Sequence, residues 1–176
     1  MEKKLSDMSL EELWKLFPIH LTEHQTDWRE WYAEEENLLK NRVSDIERIS
    51  HIGSTAISSI CAKPIIDILA EISREHKLSD YKEAIMNSGY ICMSETSDRI
   101  SFNKGYTENG FAERVYHLHL RYIGDNDEVY FRDYLIEHTD VALEYERMKL
   151  ELWKKYEFNR DGYTNSKTDF IQKYTE

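Results

Sequence analysis

The chain of 176 residues has only 2 Cys, 2 Pro and 6 Gly, and each of these low counts excludes a class of protein. Two well-separated thiols, Cys61 and Cys92, cannot form the disulfide framework of a small secreted domain, and they lack Cys-x-x-Cys metal-site spacing. So little Pro and Gly leaves no flexible linker, and no repeat or low-complexity segment interrupts the chain. We therefore expect one domain over residues 1–176.

Long apolar runs and an excess of basic residues are also missing. No stretch approaches the roughly 20 apolar residues of a membrane helix, and no apolar core of a secretion signal follows the N-terminus. The net charge of −11 opposes binding to DNA or RNA, although a local cationic cluster could still bind a small phosphorylated ligand. The sequence thus predicts a soluble, cytoplasmic protein without nucleic-acid or membrane partners, and it leaves the oligomeric state open.

Apolar periodicity predicts helices at both ends of the chain. Ser9-Leu10-Glu11-Glu12 is typical of a capping box, and Pro18 ends the N-terminal helix that it begins. After Asn126 the pattern is helical to the end, with Thr139 predicted to cap one of the helices. Further helices are expected at 27–42, 54–60, 79–88 and 164–174.

The middle of the chain predicts a sheet. Segments rich in β-branched and aromatic residues, bounded by turn residues, occur at 46–51, 65–72, 90–93, 100–102 and 115–123. The segment 65–72 is apolar on both faces apart from Asp67, which is typical of an internal strand. The sequence therefore predicts an α+β fold, with a mixed or mostly antiparallel sheet flanked by helices and a helical C-terminal region.

The segment His51-Ile52-Gly53-Ser54-Thr55 places a glycine turn between a strand and a predicted helix. Helix N-termini expose N–H groups and a partial positive charge, which makes His51, Gly53, Ser54 and Thr55 candidates for binding phosphate. The simpler interpretation is an ordinary turn at Gly53 with Ser54 as a helix cap.

Asp67 lies within the apolar segment Ile65-Ile66-Asp67-Ile68-Leu69. A carboxylate in a buried strand is costly unless it is paired or bound to a metal ion, so we expect a functional role or an ion pair with Lys63, Arg121 or Arg132. Glu71 shares the face of Asp67 but lies about 13 Å away, too far to share an ion. It is expected to be a solvated residue at the end of the strand.

His117-Leu118-His119 places two imidazoles on one face of a strand, about 6.6 Å apart. That spacing suits two metal ligands or two phosphate donors, and Arg121 extends the row on the same face. Lys63, just before the Asp67 strand, could bind a phosphate or pair with Asp67.

Two other charged residues have simpler interpretations. Arg132 could bind a ligand, but an ion pair with Asp133 is the simpler reading. Lys104 is expected to be a surface charge on a hairpin.

These motifs resemble those of the GrpB-like family. The resemblance runs from about Ile19 to Tyr174, and the first helix looks like an addition to the family's common region. The segments that carry the resemblance, in family order, are His51–Ala56, Ala62–Ile68, His117–His119, Phe131–Leu135 and the tail Asp161–Ile171.

The resemblance implies membership of the nucleotidyltransferase superfamily. Gly53 and Ser54 match a Gly-Ser pair that holds nucleotide phosphates, and Asp67 matches the first carboxylate of an Asp-x-Asp pair that holds Mg²⁺. Leu69 stands at the second carboxylate, and the third has no obvious acid. On this basis we expect a divalent metal, Mg²⁺ or Mn²⁺ with Zn²⁺ as the alternative, bound by Asp67, His117 and His119.

The sequence is compatible with three functions. The first is nucleotidyl transfer with Asp67 as the catalytic residue, and with substrate bound by His51, Gly53, Ser54, Thr55, Lys63, Arg121 and Arg132. The second is a catalytically inactive module that binds a nucleotide or phosphorylated metabolite, because a two-metal mechanism needs more carboxylates. The third is a His/Asp metal site that hydrolyses a phosphate ester. No P-loop sequence is present, which argues against a kinase.

Overall fold

The computed structural model describes residues 3–175, in which a five-stranded sheet is combined with six α-helices. The strands are β1 (Ile46–Ile52), β2 (Ile66–Ile72), β3 (Ile91–Glu95), β4 (Arg99–Thr107) and β5 (Gly110–Tyr122). The α-helices are α1 (Leu10–Leu16), α2 (Asp27–Arg42), α3 (Lys82–Met86), α4 (Asp127–Glu137), α5 (Thr139–Tyr156) and α6 (Arg160–Lys173). No helix of the described part of the chain has the length and apolar character that crossing a membrane requires.

The strand order across the sheet is β1-β2-β5-β4-β3. β2 pairs with β5 in parallel, and the other neighbours pair antiparallel, so the predicted mixed sheet is confirmed. β2 has a neighbour on each side, which agrees with its apolar sequence and its internal position.

One face of the sheet forms the main hydrophobic core. Side chains alternate between the two faces of a strand, and every second residue of β2 and β5 points into this core. The helix residues Trp28 and Leu39 of α2 and Ile85 of α3 cover that face and are fully buried. The core residues of the two central strands are Ile66, Ile68, Ala70, Ile72, Tyr116, Leu118 and Leu120.

A second, smaller core holds the C-terminal helices in place. It packs α4, α5 and α6 against the segment that follows β1, so that α5 and α6 face the turn at Gly53. Its buried members are Ile57, Ile60, Phe131, Leu135, Ala142 and Tyr145.

Several predicted boundaries were wrong. The helix expected at 54–60 is only a three-residue 3-10 turn, Ser54–Ala56, and the helix expected at 79–88 is a 3-10 turn followed by the short α3. Thr139 is the first residue of α5 and not its cap. α6 begins earlier than predicted because Asn159 caps it, accepting a hydrogen bond from the Gly162 amide at 2.9 Å.

Two charged residues expected to be solvated are instead paired. Glu71 is fully buried, accepts a hydrogen bond from the Gly124 amide at 3.2 Å and lies 3.8 Å from Arg48. Lys104 donates to Glu35 at 2.7 Å. The Glu71 prediction failed because β2 and β5 pair to their ends, so the turn at Gly124 closes over the carboxylate.

Candidate functional site

A cavity of about 510 Å³ lies between the second face of the sheet and the C-terminal helices. His51 does not line it. The cavity brings together the other candidate residues, namely Gly53, Ser54, Thr55, Lys63, Asp67, His117, His119, Arg121 and Arg132.

Asp67, His117, His119 and Arg121 form a polar row on this face of the sheet. The parallel pairing of β2 with β5 sets their arrangement. Asp67 stands beside His117, Leu69 beside His119, and Glu71 beside Arg121. Asp67 Oδ1 lies 3.6 Å from His117 Nδ1 and 3.6 Å from His119 Nε2. The partners of Asp67 are thus the two histidines and not one of the three cations weighed from the sequence.

Opposing effects act on the charge of Asp67. Burial by itself would raise the pKa of the Asp67 carboxyl, but the imidazoles of His117 and His119 beside it outweigh burial and hold that pKa below its ordinary value. Burial lowers the pKa of His117. Asp67 is therefore an anion at neutral pH.

Gly53 lets the turn after β1 approach Asp67 closely. Its φ of +73° lies in the left-handed region, which favours glycine. A Cβ at this position would stand 2.6 Å from Asp67 Oδ2. The Gly-Ser turn and the carboxylate are therefore in direct contact, which leaves no space for a larger residue between them.

His51 supports this turn from behind. Its imidazole stacks on Tyr32 with ring centroids 4.7 Å apart, and its Nε2 lies 2.9 Å from the Thr55 hydroxyl. Its backbone carbonyl accepts a hydrogen bond from Arg132 at 2.7 Å. Burial lowers the pKa of His51 to about 4, so this imidazole is neutral and helps to position the turn.

Three further cations of the cavity come from α5 and α6, and the sequence did not identify them as site residues. Lys149 of α5 donates to Ser54 Oγ at 2.8 Å and to the Cys61 carbonyl at 2.7 Å. Arg160 and Lys167 of α6 line the same cavity. A sequence signal did exist, since Lys149 follows Tyr145 by four residues and so falls on the apolar stripe of its helix.

Four cations of the cavity lack an acidic partner among the residues that the structure describes. Arg121 pairs with Glu128 at 2.7 Å, and Arg132 pairs with Asp133 at 2.7 Å. Within residues 3–175, in contrast, there is no carboxylate oxygen within 4.0 Å of the charged nitrogens of Lys63, Lys149, Arg160 and Lys167.

The lysines of this set are shifted toward their neutral forms. Burial, with a smaller contribution from the charge of Lys167, lowers the pKa of Lys149 to about 7. Burial also lowers the pKa of Lys167 to about 8 and brings the pKa of Lys63 well below its ordinary value. An anion bound among these side chains would reverse the shifts, because it stabilises the charged forms.

Tyr163 of α6 supplies another polar group to the cavity. The residue is fully buried, and its hydroxyl has no hydrogen-bond partner in the described part of the chain. Lys63 Nζ lies 5.1 Å and Lys167 Nζ 4.6 Å from the centre of its ring. A buried hydroxyl without a partner is costly, and a bound ligand oxygen would satisfy it.

Tyr106 of β4 orients His117. A β-bulge between Lys104 and Tyr106 shifts the pairing of β4 with β5, and the Tyr106 hydroxyl lies 2.6 Å from His117 Nε2. The two rings stack at 5.7 Å. His117 is therefore held at one ring nitrogen by Tyr106 while the other faces Asp67.

The polar row can be tested against the metal that the fold family implies. Mg²⁺ prefers several oxygen ligands, but Leu69 occupies the second carboxylate position and is fully buried, so a two-Mg²⁺ site does not fit. Two imidazoles and one carboxylate are suitable donors for one softer ion. As they stand, no three His, Cys, Asp or Glu side chains in residues 3–175 form a ready metal site. Ligation would need a local adjustment of these side chains.

The family model described as "GrpB protein" matches residues 18–176. The chain belongs to the GrpB family. A relative in this family, the glutamate-rich protein GrpB of Alkalihalophilus pseudofirmus, is 32% identical over 159 residues, which cover 87% of this chain and 91% of that protein. The UPF0157 protein YqkA of Bacillus subtilis is 30% identical over 88% of this chain, but the match spans only 45% of YqkA.

Solved structures agree with the family assignment and place the fold. The crystal structure of GrpB from Enterococcus faecalis superposes with a TM-score of 0.76 at 28% identity, covering 89% of this chain and 94% of that one. The Cid1 poly(U) polymerase gives a TM-score of 0.53 at 12% identity over 84% of this chain and 47% of Cid1. This GrpB-family chain therefore has a nucleotidyltransferase-like fold, which confirms the fold expected from the sequence.

Proposed function

We propose that the protein binds a nucleoside triphosphate in the large cavity and transfers its nucleotidyl group to a second substrate. The observation that carries this proposal is a set of four cations that have no acidic partner within residues 3–175 and that line the cavity containing Asp67, namely Lys63, Lys149, Arg160 and Lys167. A cationic wall facing an anionic carboxylate is the arrangement that a phosphate chain and its attacking group require.

The phosphate chain is the ligand that best satisfies these side chains. Buried cations are costly unless they are paired, and phosphate oxygens offer several acceptors for charge-assisted hydrogen bonds. Tyr163 and Ser54, each with a hydroxyl group, line the same cavity. Because the whole chain carries a net charge of −11, attraction of the anion depends on this local cluster.

Asp67 is proposed to act on the incoming nucleophile. Its carboxylate takes up the proton of the attacking hydroxyl or amine, and Tyr106 and Asp67 together fix the orientation of His117. A single divalent ion held by Asp67, His117 and His119 would add positive charge next to the reacting phosphate. The two imidazoles favour Mn²⁺ or Zn²⁺ over Mg²⁺ at this position.

A binding module without chemistry is the second candidate. It is favoured by the fully buried Leu69 at the position of the second carboxylate, since this side chain cannot hold a metal ion. In that case the same cavity would hold a nucleotide or a phosphorylated metabolite unchanged. Hydrolysis of a phosphate ester at Asp67, His117 and His119 is a third outcome that the same assay detects.

The test is an activity assay with each of the four ribonucleoside triphosphates, labelled at the α-phosphate, and a mixture of small alcohols and amines as acceptors, in the presence of Mn²⁺, Zn²⁺ or Mg²⁺. We expect metal-dependent consumption of a triphosphate that Asp67→Asn abolishes. Asp140→Asn, which removes an exposed carboxylate of α5, serves as the matched control and should retain activity. Tight binding without consumption would support the module, and equal consumption by Asp67→Asn would refute the role of Asp67.

A further inference from the structure

A second cavity of about 230 Å³ adjoins the first. Its walls are mainly apolar, with Ile19, Phe111 and Val115 among them. Lys63 and Arg160 line both cavities, so the two spaces share a wall.

The strand pattern places this second cavity next to the reacting groups. Val115, which lines it, precedes His117 by two residues within β5, and Ile65, which also lines it, lies just before β2 begins. Residues two apart along a strand lie on one face and about 6.6 Å from each other. The pair of Asp67 and His117 therefore stands between the apolar cavity and the polar row that continues to His119.

Arg160 stands where the cavities meet. Its guanidinium lies 5.2 Å from the centre of the Tyr106 ring. Its Nε is buried and has no hydrogen-bond partner among residues 3–175. Arg160 therefore combines a position on the shared wall with a buried donor that no described residue satisfies.

We infer that the second cavity binds the acceptor substrate, a small molecule with an apolar body and a hydroxyl or amine directed at Asp67. The inference rests on the proposed function. The volume is below the roughly 300–1,000 Å³ of pockets for drug-sized ligands, so the acceptor is small. Its mainly apolar walls fit a carbon body, and Lys63 and Arg160 on the shared wall leave the charged end of the space toward the first cavity.

The two substrates and Asp67 account for every bond and proton in the proposed reaction. The acceptor's hydroxyl or amine attacks the α-phosphorus of the nucleoside triphosphate, and a new O–P or N–P bond forms while the proton passes to the Asp67 carboxylate. The bond from the α-phosphorus to the bridging oxygen breaks, and the electron pair leaves with pyrophosphate. Lys149 and Lys167 hold the charge of that leaving group.

The inference is tested by blocking the second cavity without altering the first. Ala112 is exposed and lines only the second cavity, so Ala112→Trp fills it from the outside. Glu108→Trp is the control. It adds the same side chain to the exposed turn between β4 and β5, outside both cavities. The probes are benzyl alcohol and 2-phenylethylamine, titrated into isotope-labelled protein while backbone amide signals are followed by NMR.

We expect the probes to shift amides of residues 19–20 and 111–115, which belong to segments that line the second cavity. Ala112→Trp should weaken probe binding about tenfold or more, while Glu108→Trp leaves it unchanged. Both variants should bind ATP as the native chain does. Probe binding that is absent, or that Ala112→Trp does not change, overturns the inference.

The same variants separate this inference from the proposed function. If ATP binds but the probes do not occupy the second cavity, the assignment of this cavity to the acceptor is wrong, while the proposed nucleotide site is still supported. If the probes bind there but no triphosphate binds, the proposed function fails and the acceptor role falls with it.

Discussion

The two faces of the central strands differ in what they contribute, although they are built from alternate residues of the same segments. On one face of β2 and β5, residues such as Ile68 and Leu118 are fully buried in the main core. On the other, one position away, Asp67 and His117 face a cavity with cationic walls.

Residues that stabilise the fold therefore alternate along each strand with residues that face the candidate site. The apolar face removes side chains from water, which is the main source of folding free energy. The polar face gathers charges whose burial is unfavourable to folding and which a ligand can compensate. Substitutions at neighbouring positions should therefore have opposite kinds of effect.

The largest expected effect on stability is at the apolar face. Leu118→Ala should lower the free energy of unfolding by about 2–5 kcal/mol, because it leaves a cavity in a closely packed core. His117→Ala, at the adjacent position, should cost less stability but weaken or abolish activity. Denaturant unfolding of both variants measures the two losses of stability. Equal losses would contradict the expected difference between the two faces.

The next effect concerns the contact between Gly53 and Asp67. Gly53→Ala should destabilise the fold by about 1–3 kcal/mol and also disturb Asp67, since the new Cβ meets the carboxylate. Gly124→Ala is the control, because Gly124 also has a positive φ, +93°, but a Cβ there meets no atom within 4 Å. Thermal unfolding and ATP affinity should separate backbone strain, common to both, from the clash specific to Gly53.

A third prediction tests whether the buried amine of Lys149 serves binding rather than folding. Lys149→Met should change the free energy of unfolding by no more than about 1 kcal/mol, because the lost hydrogen bonds are offset by the removal of a buried charge. Its affinity for ATP should fall about tenfold. Lys154→Met, at an exposed position of the same helix, should change neither quantity.

The last prediction is a dependence on pH, for which we expect two opposite trends. Lys149 and Lys167 have pKa values of about 7 and about 8 in the folded chain, so they lose charge as the pH passes these values and ATP affinity should fall. The unfolded chain binds more protons than the folded chain over this range, so the stability of the ligand-free protein should rise. Calorimetric titration and unfolding at pH 7 and pH 9 measure the two trends, and Lys149→Arg should flatten the loss of affinity.

The general architecture could be predicted because it depends on local periodicity. The strand at Ile66–Ile72 is apolar enough to be recognised as internal, and α2 and α5 carry clear inward-facing stripes. The short turn at Ser54–Ala56 was mistaken for a helix because hydroxyl residues after a glycine favour a helix start equally well. Glu71 was expected to be solvated because no local pattern indicates that the distant turn at Gly124 covers it.

The candidate site was predicted where its residues come from strands. Alternation placed His117 and His119 on one face, and the structure brings Asp67 to that face by the pairing of β2 with β5. The cations Lys149 and Lys167 were missed because they are far away in the sequence and reach the cavity only through packing of α5 and α6. A lysine within an apolar helical stripe was the available signal.

The in-register pairing of β2 with β5 also limits how this family can change its length. One residue inserted or deleted within either strand would exchange its two faces, moving Asp67 or His117 into the core and an apolar neighbour into the cavity. Within the connection from Ser73 to Asn109, only the turns outside α3, β3 and β4 are free of this restriction, because β4 also pairs with β5 in a fixed register. We expect natural variation in length to concentrate there, while the count of residues around Asp67 and His117 stays fixed.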